Sequence, residues 1–391
     1  MLFIRCRESI DRSFFVLIAN ELKKETSNGI ECEHLDLCSA NYSNNGVSLL
    51  EGFLNDEKVR YALAIVLEKK PDVVVTGNDV AISANIIKAC NLFGIPSVTI
   101  QHGILPPRTS GGVFVFFRWR NYLLWRVISS IANIRMISRT TMSLGWRTRN
   151  IEWGLGGATQ YALMGNYYKK LLMLQGVSPH KLHVTGYPIF DLVPQYLSDF
   201  NREKTCKMLG LNSTEPVILF TTEALVEGGI CGVRWAKLLA KNVIDSVNEL
   251  GMQLVIKVHP RETAVDYREL SKSNKTVTVL KDFDLHTLMC LSDVVITALS
   301  TTGLWALVYG KPLISITWLP YNFENIYAKA AYQVGDAKKL SPAIKLVLED
   351  PETRSLLKVK RDGFLTDYYG ELDGQASRRI AKLILGVLQK Y

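Results

Sequence analysis

Along the chain, short runs of aliphatic and β-branched residues alternate with longer stretches whose apolar positions recur every three or four residues, and the alternation occurs twice. Met1 to Cys6, Ile30 to Leu37, Val73 to Thr76 and Ser97 to Ile100 are predicted strands. Phe14 to Lys24, Leu49 to Lys69 and Val80 to Leu92 are the predicted helices between them. Val73-Val74-Val75-Thr76 is unbroken rather than alternating, the pattern of a strand covered on both faces. Gln160 to Met164 and Leu182 to Thr185 read as further strands flanking the helix Tyr167 to Leu174. A second series starts at Val217 to Thr221 and runs through the helix Val233 to Leu250 to a strand ending near Val258. It continues with the strand Thr276 to Leu280, the short helix His286 to Leu291, the strand Asp293 to Thr297, the helix Leu304 to Val308 and the strand Leu313 to Ile316. Beyond Lys339 the pattern is helical, and Asp373-Gly374 opens the last helix, Gln375 to Leu388.

Strand and helix in turn predict parallel sheets with crossover helices, hence an α/β protein. Gly186 to Pro216 carries three prolines and little strand signal, so the boundary is placed there. Residues 1–195 are expected to form an N-terminal domain, with an insertion at about residues 112–150. Residues 205–391 are expected to form a C-terminal domain whose last helix is free to pack back on the first.

Composition adds limits. With 391 residues, 48% apolar and 21% charged, the chain is long enough for two full cores and ordinary for a globular protein. Its seven cysteines are scattered without a Cys-x-x-Cys pair, which suits a reducing compartment. Arg5, Arg7, Glu8, Asp11 and Arg12 break up any early apolar run, so no secretory signal is read at the start. No stretch reaches the roughly 18 uncharged apolar residues of a membrane span. A cytoplasmic protein is expected.

The net charge of +9 has a location. Between Val80 and Ile151 there is no Asp or Glu, while Lys88, Arg108, Arg118, Arg120, Arg126, Arg135, Arg139, Arg147 and Arg149 all fall there. Phe114-Val115-Phe116-Phe117, Trp119, Tyr122 and Trp125 lie in the same segment. If Asn121 to Ile134 is helical, its polar residues gather on one face, and the segment from Phe114 to Arg149 suits the headgroup region of an anionic bilayer. An ordinary core or dimer helix is the competing reading. No nucleic-acid motif accompanies the basic residues, so nucleic acid is not an expected partner.

Two turns carry the candidate chemistry. Val255-Ile256-Lys257-Val258 ends in His259-Pro260-Arg261, a basic, proline-stopped loop at a strand end. Asp293 to Thr297 leads through Ser300-Thr301-Thr302-Gly303 into a helix, where hydroxyls can cap and free N–H groups can hold a phosphate. Simple capping, and a loop histidine without a ligand, are the plainer readings. Thr222 and Glu223 follow the strand Val217 to Thr221, and Glu223 is a candidate to accept from ligand hydroxyls. In doubly wound sheets ligands bind beyond the carboxyl ends of strands, where all these residues fall. His102 follows the strand Ser97 to Ile100 and, with a reference pKa near neutrality, is the candidate general base. Asp79 is the alternative base or a helix cap.

These residues fall in motifs that resemble those of a bacterial surface-polysaccharide superfamily with the GT-B fold, two Rossmann-like domains facing across a cleft. The superfamily includes CDP-glycerol glycerophosphotransferases, capsule polymerases such as the polysialyltransferases and, more distantly, UDP-N-acetylglucosamine 2-epimerases. Ile256-Lys257-Val258-His259-Pro260 resembles its His-Pro motif. Ser300 to Gly303, followed by Gly310-Lys311-Pro312, resembles its phosphate turn. Gly94-Ile95-Pro96 with Gln101-His102-Gly103, Val184-Thr185-Gly186-Tyr187-Pro188 with Phe190-Asp191, and Asp373-Gly374-Gln375-Ala376-Ser377 to Arg379 resemble three further landmarks. The resemblance implies a nucleotide-sugar donor on the C-terminal half, held by His259, Pro260, Lys257, Arg261, Thr222, Glu223 and the turn Ser300, Thr301, Thr302 and Gly303. It implies a glycan or lipid-linked acceptor, deprotonated by His102, with the enzyme peripheral on the inner face of the plasma membrane.

The leading expectation is therefore an inverting glycosyltransferase. No metal or cofactor is expected, because no carboxylate pair of suitable spacing occurs. A CDP-glycerol-type phosphopolyol transferase is the near alternative. A 2-epimerase wants acidic residues in its N-domain loops, which the stretch from Val80 to Ile151 lacks. A non-catalytic scaffold would bind nucleotide without turnover.

Overall fold

The apolar runs form two all-parallel sheets in the computed structural model, which describes residues 1–5, 10–26, 29–36, 57–78, 81–101, 154, 156–227, 229–263, 265–274, 276–298, 300–318 and 326–390. The chain divides into two units, Met1–Asp191 with Asp367–Tyr391, and Leu192–Thr366. Among the described residues no helix is long and apolar enough to cross a membrane.

The first unit holds β1 (Leu2–Arg5), β2 (Glu33–Asp36), β3 (Val74–Thr76), β4 (Ser97–Ile100), β5 (Gln160–Leu163) and β6 (Leu182–Val184), in the order β2-β1-β3-β4-β5-β6. Every described residue of β3 and β4 is buried, as an unbroken apolar run requires of a strand with helices on both faces. Ile87 of the helix Ala81–Leu92 and Leu172 of the helix Asn166–Leu174 share one core cluster with Tyr161, Leu163 and Leu182. Gln101, the residue after β4, is buried and its Oε1 accepts the Met164 N–H at 3.0 Å, tying the carboxyl ends of β4 and β5 together.

Two of the sequence landmarks turn out to be one structure in this unit. Asp191 accepts the Ala376 and Ser377 N–H groups at 3.0 and 2.7 Å, so it caps the helix Ala376–Leu388 from far away in sequence. Arg379 completes the joint by donating to the Thr185 carbonyl at 2.8 Å and to Asp373 at 2.7 Å. Arg378 pairs with Glu25 of the helix Ile10–Glu25 at 2.7 Å. Gly165 must be glycine, because a Cβ there would lie 2.2 Å from the Tyr368 carbonyl oxygen.

The second unit holds β7 (Val217–Thr221), β8 (Gln253–Lys257), β9 (Val277–Leu280), β10 (Val294–Thr297), β11 (Leu313–Ile316) and β12 (Tyr332–Val334), in the order β12-β11-β10-β7-β8-β9. Counted from β7, this is the order 6-5-4-1-2-3 of dinucleotide-binding sheets, and the direction of winding reverses between β7 and β10. The amphipathic helix Val233–Glu249 closes one face, with Leu239, Val243 and Val247 in the same core cluster as Ile218, Leu254 and Ile296.

Some elements differ from the sequence reading. β12 has no counterpart in it, because the run is only three residues long and an edge position leaves Gln333 exposed. The segment read as linker is helical, over Val193–Asp199 and Arg202–Leu209. Asn201 caps the second helix through the Lys204 N–H at 2.8 Å, and Gly210 ends it at φ 70°. The division between the units falls between Asp191 and Leu192, and residues 367–391 belong to the first unit. The basic aromatic segment from Phe114 to Arg149 lies outside the described residues, as do Asp79 and His102.

Candidate functional site

The switch point of the second sheet places the carboxyl ends of β7, β8 and β10 side by side, with β7 in the middle. Thr221 pairs in register with Lys257, and Phe220 with Ile256 and Ile296. The residues just past these strands, Thr222 and Glu223, Val258 and His259, and Ala298, therefore come out together.

Thr222 is the hub between β7 and β8. Its hydroxyl accepts the His259 N–H at 2.9 Å and donates to Glu262 Oε2 at 2.5 Å. The other oxygen of Glu262 accepts the Tyr267 hydroxyl at 2.6 Å. Glu262 is only 4% exposed, and burial, the largest influence on it, pushes its carboxyl above the usual range despite those two donors. Proline at 260 offers no N–H, and the first amide beyond it, Arg261, donates to His259 Nδ1 at 3.1 Å. An imidazole nitrogen that accepts carries no proton, so this bond places the ring proton of neutral His259 on Nε2 as a donor. Arg261 is exposed and makes no ion pair among the described residues.

Glu223 is the hub between β7 and β10. Its Oε1 accepts the Thr297 hydroxyl at 3.1 Å, the Ala298 N–H at 3.0 Å and the Ser300 N–H at 2.6 Å. Beyond it, Ser300 Oγ accepts the Thr302 N–H at 3.3 Å, Ser300 O accepts the Gly303 N–H at 3.1 Å, and the Thr302 and Thr221 hydroxyls meet at 2.6 Å. Tyr327 lies over this turn, donating to the Ser300 carbonyl. A Cβ on Gly303 would sit 2.6 Å from its ring, so glycine is needed for that contact.

Four sequence assignments change on this geometry. Glu223 was expected to meet donor hydroxyls, yet Oε1 of its carboxylate is built into the β10 turn. Of the N–H groups expected to be available for phosphate, those of Ser300, Thr302 and Gly303 already have internal acceptors, because a short turn at a switch point satisfies its own amides. What the turn does display is a capacity to hold an anion, with a resident carboxylate in place. Lys257 points toward β9, where its amine donates to the Lys281 carbonyl at 2.5 Å, and burial lowers its pKa. It is an anchor of the sheet edge. The Gly310-Lys311-Pro312 triplet leaves the site altogether. Gly310, at φ 70°, ends the helix Thr302–Val308, and the triplet precedes β11 at the opposite end of the sheet.

Sequence reasoning missed Glu262, Tyr267 and Tyr327. An acid directly after a basic turn was a usable signal for Glu262. Tyr327 sits in an aperiodic stretch that offers none.

Residues 237–333 match the family model described as capsule polysaccharide biosynthesis protein. The whole chain is similar in fold to UDP-GlcNAc 2-epimerase from Neisseria meningitidis, with 16% identity, a TM-score of 0.64, and 99% of this chain and 100% of that one covered. The UDP-GlcNAc 2-epimerase of Methanocaldococcus jannaschii aligns at 15% identity and TM-score 0.61, over 98% and 99% of the two chains. The wall teichoic acid polymerase TagF aligns at 14% identity and TM-score 0.55, over 100% of this chain and 89% of that one. No curated protein sequence matches the chain. The fold is thus the GT-B type with two Rossmann-like α/β domains, and residues 237–333 are similar in sequence to proteins of capsule polysaccharide biosynthesis.

Proposed function

We propose that the chain is an inverting glycosyltransferase that moves a sugar from a nucleotide-activated donor to a surface-glycan acceptor. The observation that carries this reading is an imidazole donor and an exposed arginine, His259 and Arg261, beside the hydroxyl-rich turn Ser300 to Thr302 at the switch point of the second sheet, within the segment that matches the capsule family. His259 through Nε2–H, Arg261 through its charge, and the hydroxyls of Ser300, Thr301 and Thr302 hold the donor phosphates. Negative charge grows on the leaving phosphate as its bond to the anomeric carbon breaks, and these fixed donors stabilise it. The acceptor hydroxyl attacks from the opposite face and gives its proton to His102, with Asp79 the alternative base. Neither a metal nor a cofactor enters this scheme. A lipid-linked acceptor fits a basic aromatic segment, Phe114 to Arg149, that rests on the anionic inner face of the plasma membrane. The structure of the Neisseria epimerase is one bound to UDP-GlcNAc, which supports a nucleotide-sugar donor here.

Thermal stabilisation by UDP, CDP, CMP and GDP tests the donor class, since a ligand at about 100 times its Kd adds roughly 2.7 kcal/mol. His259→Ala weakens nucleotide binding, and His102→Ala spares binding while abolishing transfer. Equal loss of binding in both variants would remove this division of roles. Transfer of glycerol phosphate from a CDP donor would assign the phosphopolyol alternative, and interconversion of UDP-sugar epimers without an acceptor would assign the isomerase.

A further inference from the structure

The second unit has a groove at the other end of its sheet. One cavity of about 550 Å³ opens where the chain enters β7, β10 and β11, lined among others by Arg202, Asp293, Lys311 and Arg354. A second, of about 330 Å³, adjoins it and is lined by Lys311, Arg354, Lys358 and Arg361. Gly310, Lys311, Pro312 and Arg354 belong to both, so the two are continuous. The groove lies where the chain enters β10 and the candidate donor site where it leaves, so the strand Val294–Thr297, about 10 Å at roughly 3.3 Å per residue, stands between them.

The charges in this groove have different roles, and one exposed carboxylate, Glu215, lies at its Arg202 end, where it accepts from Asn212 Nδ2 at 2.8 Å. Arg202 is spent on structure, since its guanidinium donates to the Ser213, Leu291 and Glu215 carbonyls and to Asp293. Lys311 donates to the Cys290 carbonyl at 2.9 Å on the floor. Arg361 pairs with Asp362 at 2.7 Å and lies over Gly310, 2.9 Å from where a Cβ would be. Arg354 and Lys358 are exposed and have no ion pair among the described residues. On the helix Pro351–Tyr368, Arg354, Lys358 and Arg361 recur at spacings of four and three and therefore line one face. Their cations span about 10 Å of helix axis at roughly 1.5 Å per residue. The exposed apolar residues of this helix, Leu356 and Val359, fall on its opposite side, so the basic wall carries no apolar anchor. A recessed basic wall without apolar anchors does not fit a flat bilayer, which is gripped by apolar side chains flanked by cations. It fits a linear chain with repeated negative charges.

We propose that this groove binds an acidic glycan segment, one with carboxylate or phosphodiester groups along its length, at a site separate from the donor site. The choice of a glycan rests on the surface-polysaccharide reading above. The groove's preference for a polyanion rests on its charges alone. The test uses the full chain and fluorescently labelled oligogalacturonate, with polyphosphate, neutral dextran and phosphatidylglycerol vesicles as comparison probes, at low salt where charge contacts are least screened. Oligogalacturonate is expected to bind and dextran not to. Arg354→Glu together with Lys358→Glu should weaken that binding roughly tenfold or more, with unchanged nucleotide stabilisation and unchanged thermal midpoint. Polyphosphate binding that depends on the same residues, with no oligogalacturonate binding, would show a polyanion site without glycan recognition and overturn the glycan assignment. Unchanged polymer affinity in the double variant, or vesicle binding that depends on these two residues while the glycan does not bind, would overturn the proposal. Loss of nucleotide binding in the unaltered protein would sink the glycosyltransferase reading and leave this site standing.

Discussion

Thr222→Val removes one hydroxyl and keeps the shape of the side chain, and it tests whether the β7–β8 hub holds the His259 turn. In the folded protein that hydroxyl serves the His259 N–H at 2.9 Å and Glu262 Oε2 at 2.5 Å, and Thr222 and Glu262 are both buried. The variant leaves an amide without its acceptor and a buried carboxylate with one donor fewer. At roughly 1–3 kcal/mol for each such loss, destabilisation of about 2–5 kcal/mol is expected. Urea unfolding measures the total, and hydrogen exchange at the His259 amide measures the local part. Combined with Glu262→Gln, the two changes should be non-additive by about 1 kcal/mol or more, because they share one bond. The pH dependence has a defined sign. Glu262 binds its proton more tightly folded than unfolded, so its contribution to stability is complete below the ordinary glutamate value of 4.5 and declines as pH rises through the raised folded value. Glu262→Gln should flatten that decline. Strictly additive costs with His259 exchange unchanged in Thr222→Val would refute the hub.

Two further outcomes follow from close contacts. Gly303→Ala places a methyl 2.6 Å from the fully buried Tyr327 ring; overpacking of about 1–3 kcal/mol should lower the thermal midpoint, and an unchanged midpoint would show that the ring yields freely. Asp191→Ala removes the acceptor of two N–H groups at the start of the helix Ala376–Leu388, at about 1–2 kcal/mol; amide exchange should accelerate across that helix while the Leu192–Thr366 unit is unaffected.

Periodicity was enough for most of the architecture, because unbroken runs such as Val294 to Thr297 and amphipathic helices such as Val233–Glu249 state their burial directly. It failed for β12, which is too short to show a period, and for the helices from Val193 to Leu209, because Pro188, Pro194 and Pro216 in and around them mimic a linker. The site was legible at the level of the turns. His259 and Ser300 were recognisable as strand-end residues, but the destination of a side chain was not. Glu223 and Lys257 have the charges one would assign to a ligand, yet hydrogen-bond demand inside the protein claims both. The same holds for Gly310-Lys311-Pro312, a helix stop whose composition resembles a phosphate loop. Asp191 and Arg379 were visible as separate motifs, and only long-range contact revealed them as two sides of one joint.

That joint bears on how the protein is made. Because the helix Ala376–Leu388 is capped by Asp191 and paired to Glu25, the ribosome delivers every residue of the Leu192–Thr366 unit before the unit that begins at Met1 has its full complement. The unit whose β1 precedes the other unit's strands is completed after them, and until then the helix Ile10–Glu25 lacks the partner surface that the helix Ala376–Leu388 supplies.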